Sequence, residues 1–279
     1  MPIRIPWDTK RIRRATKILA ACTTLAVAGP VAVAQAAASA SNTGATVHFS
    51  GIPEVGALFS SADYTGSSAS HFCTATVIDS PAGDLVLTAA HCVWDASTGT
   101  YTQSSITFAP GYDNGLDSHL GGAWTVTRID VPDGYQTSGN PEDDYAILEI
   151  APQNGLNIER VTGGLRLATT KLPEKVSVIG YNDLVYDVDG NEPIICRAKA
   201  FEETDDGVAW SRFDCPNYQD GTSGGPWIAH GGEVVGVIGG YEQGGDSPDW
   251  SYSTIFNAAT IDFYKSVAGS RRYVGQPGS

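Results

Sequence analysis

Short runs of apolar, β-branched and aromatic residues recur along the chain, each closed by glycine, proline, asparagine or aspartate. The first seven are VGALFSS (55–61), HFCTATVI (71–78), DLVLTAA (84–90), SITFAP (105–110), AWTVTRIDV (123–131), DYAILEIA (144–151) and KVSVIGY (175–181). IICRAKAFEE (194–203), VAWSRFD (208–214), EVVGVIGGYE (233–242) and SYSTIF (251–256) continue the series. Between them stand SPAGD, PGYDNG, PDGYQTSGNPEDD and DVDGNEP. Such residues turn the chain because glycine and asparagine tolerate positive φ and proline presets its own. Many short strands at this spacing predict an all-β sandwich or barrel. One segment has the helical period instead. In NAATIDFYKSVAG, Asn257 can cap, Ala258, Ile261, Tyr264 and Ala268 share a face, and Gly269 can end the helix.

The first forty residues break the pattern. Arg4, Lys10, Arg11, Arg13, Arg14 and Lys17 precede ILAACTTLAVAGPVAVAQAAASA, a run of small and apolar residues. A basic start, an apolar middle and a small-residue end predict a secretory signal peptide over 1–36. Ala34-Gln35-Ala36 fits the cleavage pattern, and Ala38-Ser39-Ala40 fits it equally, extending the segment up to 40. Leu19-Ala20-Ala21-Cys22 resembles a lipoprotein box, but most of the apolar run follows the cysteine, so plain secretion is the reading. No later stretch is long and apolar enough to cross a membrane.

Removing that segment leaves 11 basic against 30 acidic residues, a formal charge of −19. A surface so negative repels nucleic acid and anionic lipid, and neither is expected as a partner. Four cysteines remain, Cys73, Cys92, Cys196 and Cys215. In an exported chain an even number reads as two disulfides, and spacing alone leaves all three pairings open. The C-x-x-C spacing favoured by zinc sites is missing, and no metal or cofactor is expected.

A serine hydroxyl is a weak nucleophile at neutral pH and needs a base beside it, commonly a histidine oriented by a buried carboxylate. Of the five histidines, His91 ends an apolar strand in VLTAAHC. Asp144 opens DYAILEI, where an acid against an apolar run is costly to bury unless paired. Ser223 sits in GTSGGP among glycines that permit close approach of a substrate. Taken singly, each has a plainer reading: a satisfied core histidine, a turn acid, a surface turn.

Together the three segments resemble the chymotrypsin-like (trypsin superfamily) serine proteases of bacterial secreted type. HFCTATVIDSPAGDLVLTAAHC is similar to the region of the catalytic histidine, DYAIL to the family's D-x-A-x-L segment, and GTSGGP to G-D-S-G-G-P. They occur in the family order, and the likeness spans roughly residues 53–268. It implies two six-stranded antiparallel β-barrels, about 53–151 and 175–257, with a seam near 152–174 and a C-terminal helix at about 258–268. An N-terminal segment, 37–52, precedes the 53–270 protease domain. The resemblance makes Ser223 the nucleophile, His91 the general base and then acid, and Asp144 its orienter. It puts the oxyanion hole at the N–H groups of Gly221 and Ser223. It pairs Cys73 with Cys92 and Cys196 with Cys215. The expected protein is a secreted monomeric endopeptidase acting on protein or peptide substrates.

Two departures limit the carry-over. Thr222 stands where the family's zymogens place an acid that pairs with a freed N-terminal amine, so that switch is not expected here. The specificity pocket maps onto Asn217 at its base and Gly239, Gly240 and Tyr241 along its wall, a set that fixes no side-chain preference. Two rival readings remain. One is a protease fold kept as a silent binding module. The other is an α/β-hydrolase esterase, since GTSGG also fits G-x-S-x-G; that family needs a histidine after the serine, and only His230 follows.

Overall fold

The computed structural model describes residues 44–61 and 70–270. The export segment expected over 1–36, or up to 40, lies outside the described residues. In chain order the strands are β1 (Thr46–His48), β2 (Val55–Ser60), β3 (His71–Ile78), β4 (Leu85–Thr88), β5 (Trp94–Asp95), β6 (Thr100–Tyr101), β7 (Ile106–Pro110) and β8 (Trp124–Asp130). They continue as β9 (Ala146–Ile150), β10 (Arg166–Leu167), β11 (Glu174–Gly180), β12 (Ile194–Asp205), β13 (Val208–Asp214), β14 (Pro226–Ala229), β15 (Glu233–Val237) and β16 (Trp250–Ser253). The helices are α1 (Ala90–Val93), α2 (Asp133–Ser138), α3 (Ile158–Thr162) and α4 (Ala258–Gly269).

The first barrel is closed, in the order β2-β3-β4-β9-β8-β7, six antiparallel strands as the resemblance implies. The second is built on six antiparallel strands in the order β15-β14-β11-β12-β13-β16. The long β12 turns its corner: Ile194–Ala200 pairs with β11 and Phe201–Asp205 with β13. The ladder stays open between β15 and β16, where two single bonds join the edges, Gly239 N–H to Tyr252 O (3.1 Å) and Val237 N–H to Ser253 Oγ (3.1 Å). Two short strands are added outside this ring, β10 parallel to β15 and β1 antiparallel to β12. The run EVVGVIGGYE is not one strand, because Gly240 takes φ 82° and a 3-10 turn follows at Tyr241–Gly244.

Each barrel fills with its own apolar side chains, such as Leu58, Val77, Phe108, Trp124 and Leu148 in the first and Val178, Ile194, Phe213 and Trp227 in the second. A third cluster joins Leu85, Tyr145 and Ile147 of the first barrel to Val234 and Val237 of the second and to Phe256 and Val267. Burying each such side chain stabilises the fold by about 1.5–3 kcal/mol, so the barrels are held to each other by the force that fills them. That is why β3 and β4 are buried on both faces and read as nearly unbroken apolar runs. The all-β architecture lacks the alternating helices of an α/β-hydrolase and removes that rival.

α4 starts at the expected cap. Asn257 Oδ1 accepts from Ala259 N–H (2.7 Å), and Thr260 Oγ1 accepts from Asn257 N–H (3.2 Å). Ile261, Tyr264 and Ala268 of the expected face pack on the inter-barrel cluster, joined by Phe263 and Val267. Thr260 is also buried, while Ala258 in the first turn is exposed. No helix among the described residues is long and apolar enough to cross a membrane.

Candidate active site

β4 delivers the chain to α1, a single helical turn that carries His91, and the Cys73–Cys92 disulfide ties that turn to β3 (Cα–Cα 6.2 Å). Asp144 stands just before β9, which pairs with β4, so adjacent strands bring the acid to the histidine. Asp144 is fully buried (0% exposed). Its carboxylate accepts three N–H groups: His91 Nδ1 (2.8 Å) and Gly240 N (2.8 Å) on Oδ2, and His91 N (2.9 Å) on Oδ1. A carboxylate can only accept, so the neutral ring carries its proton on Nδ1 and keeps its lone pair on Nε2. Tyr135 is also close. Its phenol is pushed well above the usual range, first by burial and then by the charges of Asp144 and Asp95, and it stays protonated.

Ser223 lies in the loop between β13 and β14, pinned at its base by the Cys196–Cys215 disulfide (Cα–Cα 6.4 Å). The loop is held against the first barrel by Thr74, a buried residue of β3. Thr74 N–H donates to Ser223 O (2.8 Å), its hydroxyl donates to Gly221 O (3.0 Å), and it accepts from Tyr181 N–H (3.0 Å). Gly224 permits the close approach: its φ is 79°, and a side chain there would strike Thr88 Oγ1 and Ala89 N. Thr222 N–H, Gly224 N–H and Gly225 N–H donate to Gln219 O, Ile238 O and Thr222 O. Among the described residues the N–H groups of Gly221 and Ser223 donate to no protein acceptor. The Ser223 hydroxyl likewise forms no hydrogen bond to the His91 ring among these residues. Thr222 is buried and donates its hydroxyl to Gln219 O (2.7 Å) within the same loop.

A cavity of about 180 Å³ opens beside Ser223, lined among others by Tyr186, Tyr218, Asp220, Ile238 and Asp246. Asn217, Gly239, Gly240 and Tyr241 are not part of its lining. Asn217 (φ 67°) lines an adjoining cavity with His48, Asn182 and Asp187. Gly239 and Gly240 back onto Asp144, where a side chain at Gly239 would meet the carboxylate. Tyr241 packs on Trp210 and Tyr252. Sequence reading missed Thr74, Ile238 and Tyr186. Thr74 and Ile238 were hidden inside ordinary strand patterns, and Tyr186 comes from a loop nearly forty residues before the serine.

Among the described residues, two groups of metal-ligating atoms come within 4.8 Å of one another, Cys73-His91-Cys92 and His48-Asp187-Asp189. In the first, both sulfurs are committed to their disulfide. The second is a surface cluster in which His48 Nε2 lies 3.4 Å from Asp187 Oδ2.

Residues 73–237 match the family described as Trypsin-like peptidase domain. No curated protein matches the chain by sequence. Among solved structures, the chain is similar to the protease Anisep from Arthrobacter nicotinovorans, with a TM-score of 0.66 and 20% identity over 80% of this chain and 99% of that one. It is similar to the thermostable serine protease AL20 from an extremophilic microorganism, with a TM-score of 0.65 and 24% identity over 78% and 98% of the two chains. A Glu endopeptidase in complex with MPD gives a TM-score of 0.60 and 19% identity over 80% and 96%. At these identities the likeness is one of fold.

Proposed function

We propose that this chain, which belongs to the trypsin-like peptidase family, is an exported serine endopeptidase that cuts peptide bonds through an acyl-enzyme on Ser223. The observation that carries the reading is the three-donor cage around Asp144, which fixes the His91 tautomer. It leaves Nε2 to take the serine proton. Ser223 Oγ attacks the scissile carbonyl, its proton passes to Nε2, and Asp144 stabilises the imidazolium that forms. The carbonyl oxygen becomes negative and receives the two uncommitted N–H groups of Gly221 and Ser223. A donor of this kind is worth roughly 3–4 kcal/mol to the transition state. His91 then protonates the leaving amine, and water repeats the sequence in reverse to free the acid. Catalytic hydrogen bonds often close only around substrate, and the Ser223–His91 contact is assigned to that stage.

Thr222 is neutral and bonds within its own loop, so activity does not wait on a freed N-terminal amine. Two disulfides suit an oxidising compartment.

A second reading, a protease fold retained for binding, draws on the missing Ser223–His91 hydrogen bond. Labelling with a serine-directed fluorophosphonate separates the two. The wild-type chain is expected to label and the Ser223→Ala variant to stay blank, with His91→Ala slowing labelling by about a thousandfold or more. Folded wild-type protein that resists the probe would sink the enzyme reading and leave the binding module.

A further inference from the structure

On the outer face of the second barrel, β14, β11 and β12 lie side by side and set up a row of cations. Lys175 and Lys199 are directly opposite each other, and Ser177 pairs with both Arg197 and Ile228. Ala229 pairs with Val176, so His230 follows beside Lys175. Adjacent strands are about 4.8 Å apart, which confines these side chains to one narrow band. Lys175, Arg197, Lys199 and His230 are all exposed, and they line a cavity of about 670 Å³ with no Asp or Glu in its lining.

The arrangement is unfavourable as it stands. Like charges directly opposite in an antiparallel pair destabilise it. Most of the described arginines elsewhere are paired, though Arg160 and Lys171 form no ion pair among the described residues. Arg128, Arg166, Arg212 and Lys265 each pair with a carboxylate, whereas Lys175, Arg197 and Lys199 form no ion pair among the described residues. This occurs in a chain with 31 acidic residues, where partners are plentiful. Three unpaired cations brought into one groove by strand register complement an anion from outside.

We propose that this groove binds a short acidic peptide segment of another protein, two or three Asp or Glu side chains in extended conformation. Several features narrow the occupant. The residues of this chain outside the described ones contain only two acids, Asp8 and Asp63, so none of them supplies the run. A second copy is repelled by the shared negative charge. The same field turns away long polyanions, because the attraction of the groove reaches only about a Debye length, roughly 8 Å at physiological salt. Ile228, opposite Ser177, shares the lining with the basic residues, and a mixed apolar and cationic lining suits a peptide better than a bare inorganic ion.

The test is fluorescence anisotropy of fluorescein-labelled hexaglutamate with the full chain. Saturable binding is expected at about 50 mM salt and should fade as salt screens the groove. The Lys175→Gln/Lys199→Gln variant should bind about tenfold or more weakly, and Arg197→Gln alone should weaken binding by severalfold. Lys265→Gln, which removes a cation from α4, should bind as the wild type does. Thermal melting supplies a second readout: relief of the Lys175–Lys199 repulsion should hold or raise the melting temperature of the double variant. Absence of saturable binding, or equal affinity in the double variant, overturns the proposal. Displacement of the peptide by an equal concentration of inorganic phosphate overturns the peptide assignment. Concentration-dependent self-association that vanishes in the double variant would assign the groove to a second copy instead.

Discussion

Asp144 is a charge taken wholly out of water, which is tolerable only because each of its oxygens is met by N–H donors. Its value therefore lies in acceptor chemistry, and Asp144→Asn tests that. The amide has the same shape but presents an NH₂ group, which favours the His91 tautomer with its proton on Nε2, the wrong nitrogen for a base. The variant should fold, with kcat lower by about 10⁴-fold and KM little changed; kcat within tenfold of wild type would show that Asp144 is not the orienter. His71 shows the opposite economy. It is 1% exposed and ringed by Phe59, Tyr112 and Tyr181; its Nε2 bonds Gly190 O (3.0 Å), and its buried Nδ1 has no partner among the described residues. Burial lowers its pKa, outweighing the opposing effects of the Gly190 bond and the Asp183 charge. The unfolded chain therefore binds a proton at His71 more readily than the folded one. That stability is complete above about pH 6.5 and is lost as pH falls below the unfolded pKa towards the lowered folded one. Melting curves between about pH 7 and 5 should fall more steeply for wild type than for His71→Gln, which keeps an uncharged donor for Gly190. Parallel curves would remove His71 as the source.

At the scale of elements, β3 does more than complete a barrel. Through Thr74 it grips the serine loop at two points, and through Cys73 it grips the turn carrying His91. Thr74→Val keeps the shape but strands Gly221 O and Tyr181 N–H in a buried site, costing about 1–3 kcal/mol. Because Gly221 belongs to the proposed oxyanion hole, kcat should drop with KM nearly constant, and Thr74→Ser should restore it. A stability loss with unchanged kcat would reduce Thr74 to a structural residue. The element pattern also explains what sequence reading could and could not see. The long runs, such as HFCTATVI and KVSVIGY, appear as strands at nearly their expected bounds. β1, β5, β6, β10 and β14 went unmarked because two to four residues carry too little periodicity to stand out. EVVGVIGGYE read as one strand because its glycines follow an apolar run without interruption; the turn at Gly240 is imposed by its bond to Asp144, a partner 96 residues away.

For the whole molecule, charge and shape meet at the cavity beside Ser223. Asp220 and Asp246 line it, Asp220 pushes the neighbouring Tyr186 phenol up, and no basic residue lines it. An acidic side chain entering there gives up water and meets carboxylates of its own sign. In a peptide library, sites with Asp or Glu before the cleaved bond should therefore be cut about tenfold or more slowly than neutral or basic ones. A preference for acidic residues there would show that another surface forms the pocket. By itself the sequence determined the strand-rich class, the four cysteines that can form two disulfides and the three segments bearing His91, Asp144 and Ser223. Those are local signals, because periodicity, turn chemistry and motif all lie within a few residues of one another. The resemblance puts the specificity pocket at Asn217, Gly239, Gly240 and Tyr241, while the cavity beside Ser223 is a feature that only the tertiary structure assembles. The cavity wall is assembled from the loop at Tyr186, the strand end at Ile238 and the turn at Asp246, segments that meet only when the second sheet folds over. The cation groove has the same origin. Lys175, Arg197, Lys199 and His230 are unremarkable in three separate runs, and only cross-strand register sets them side by side.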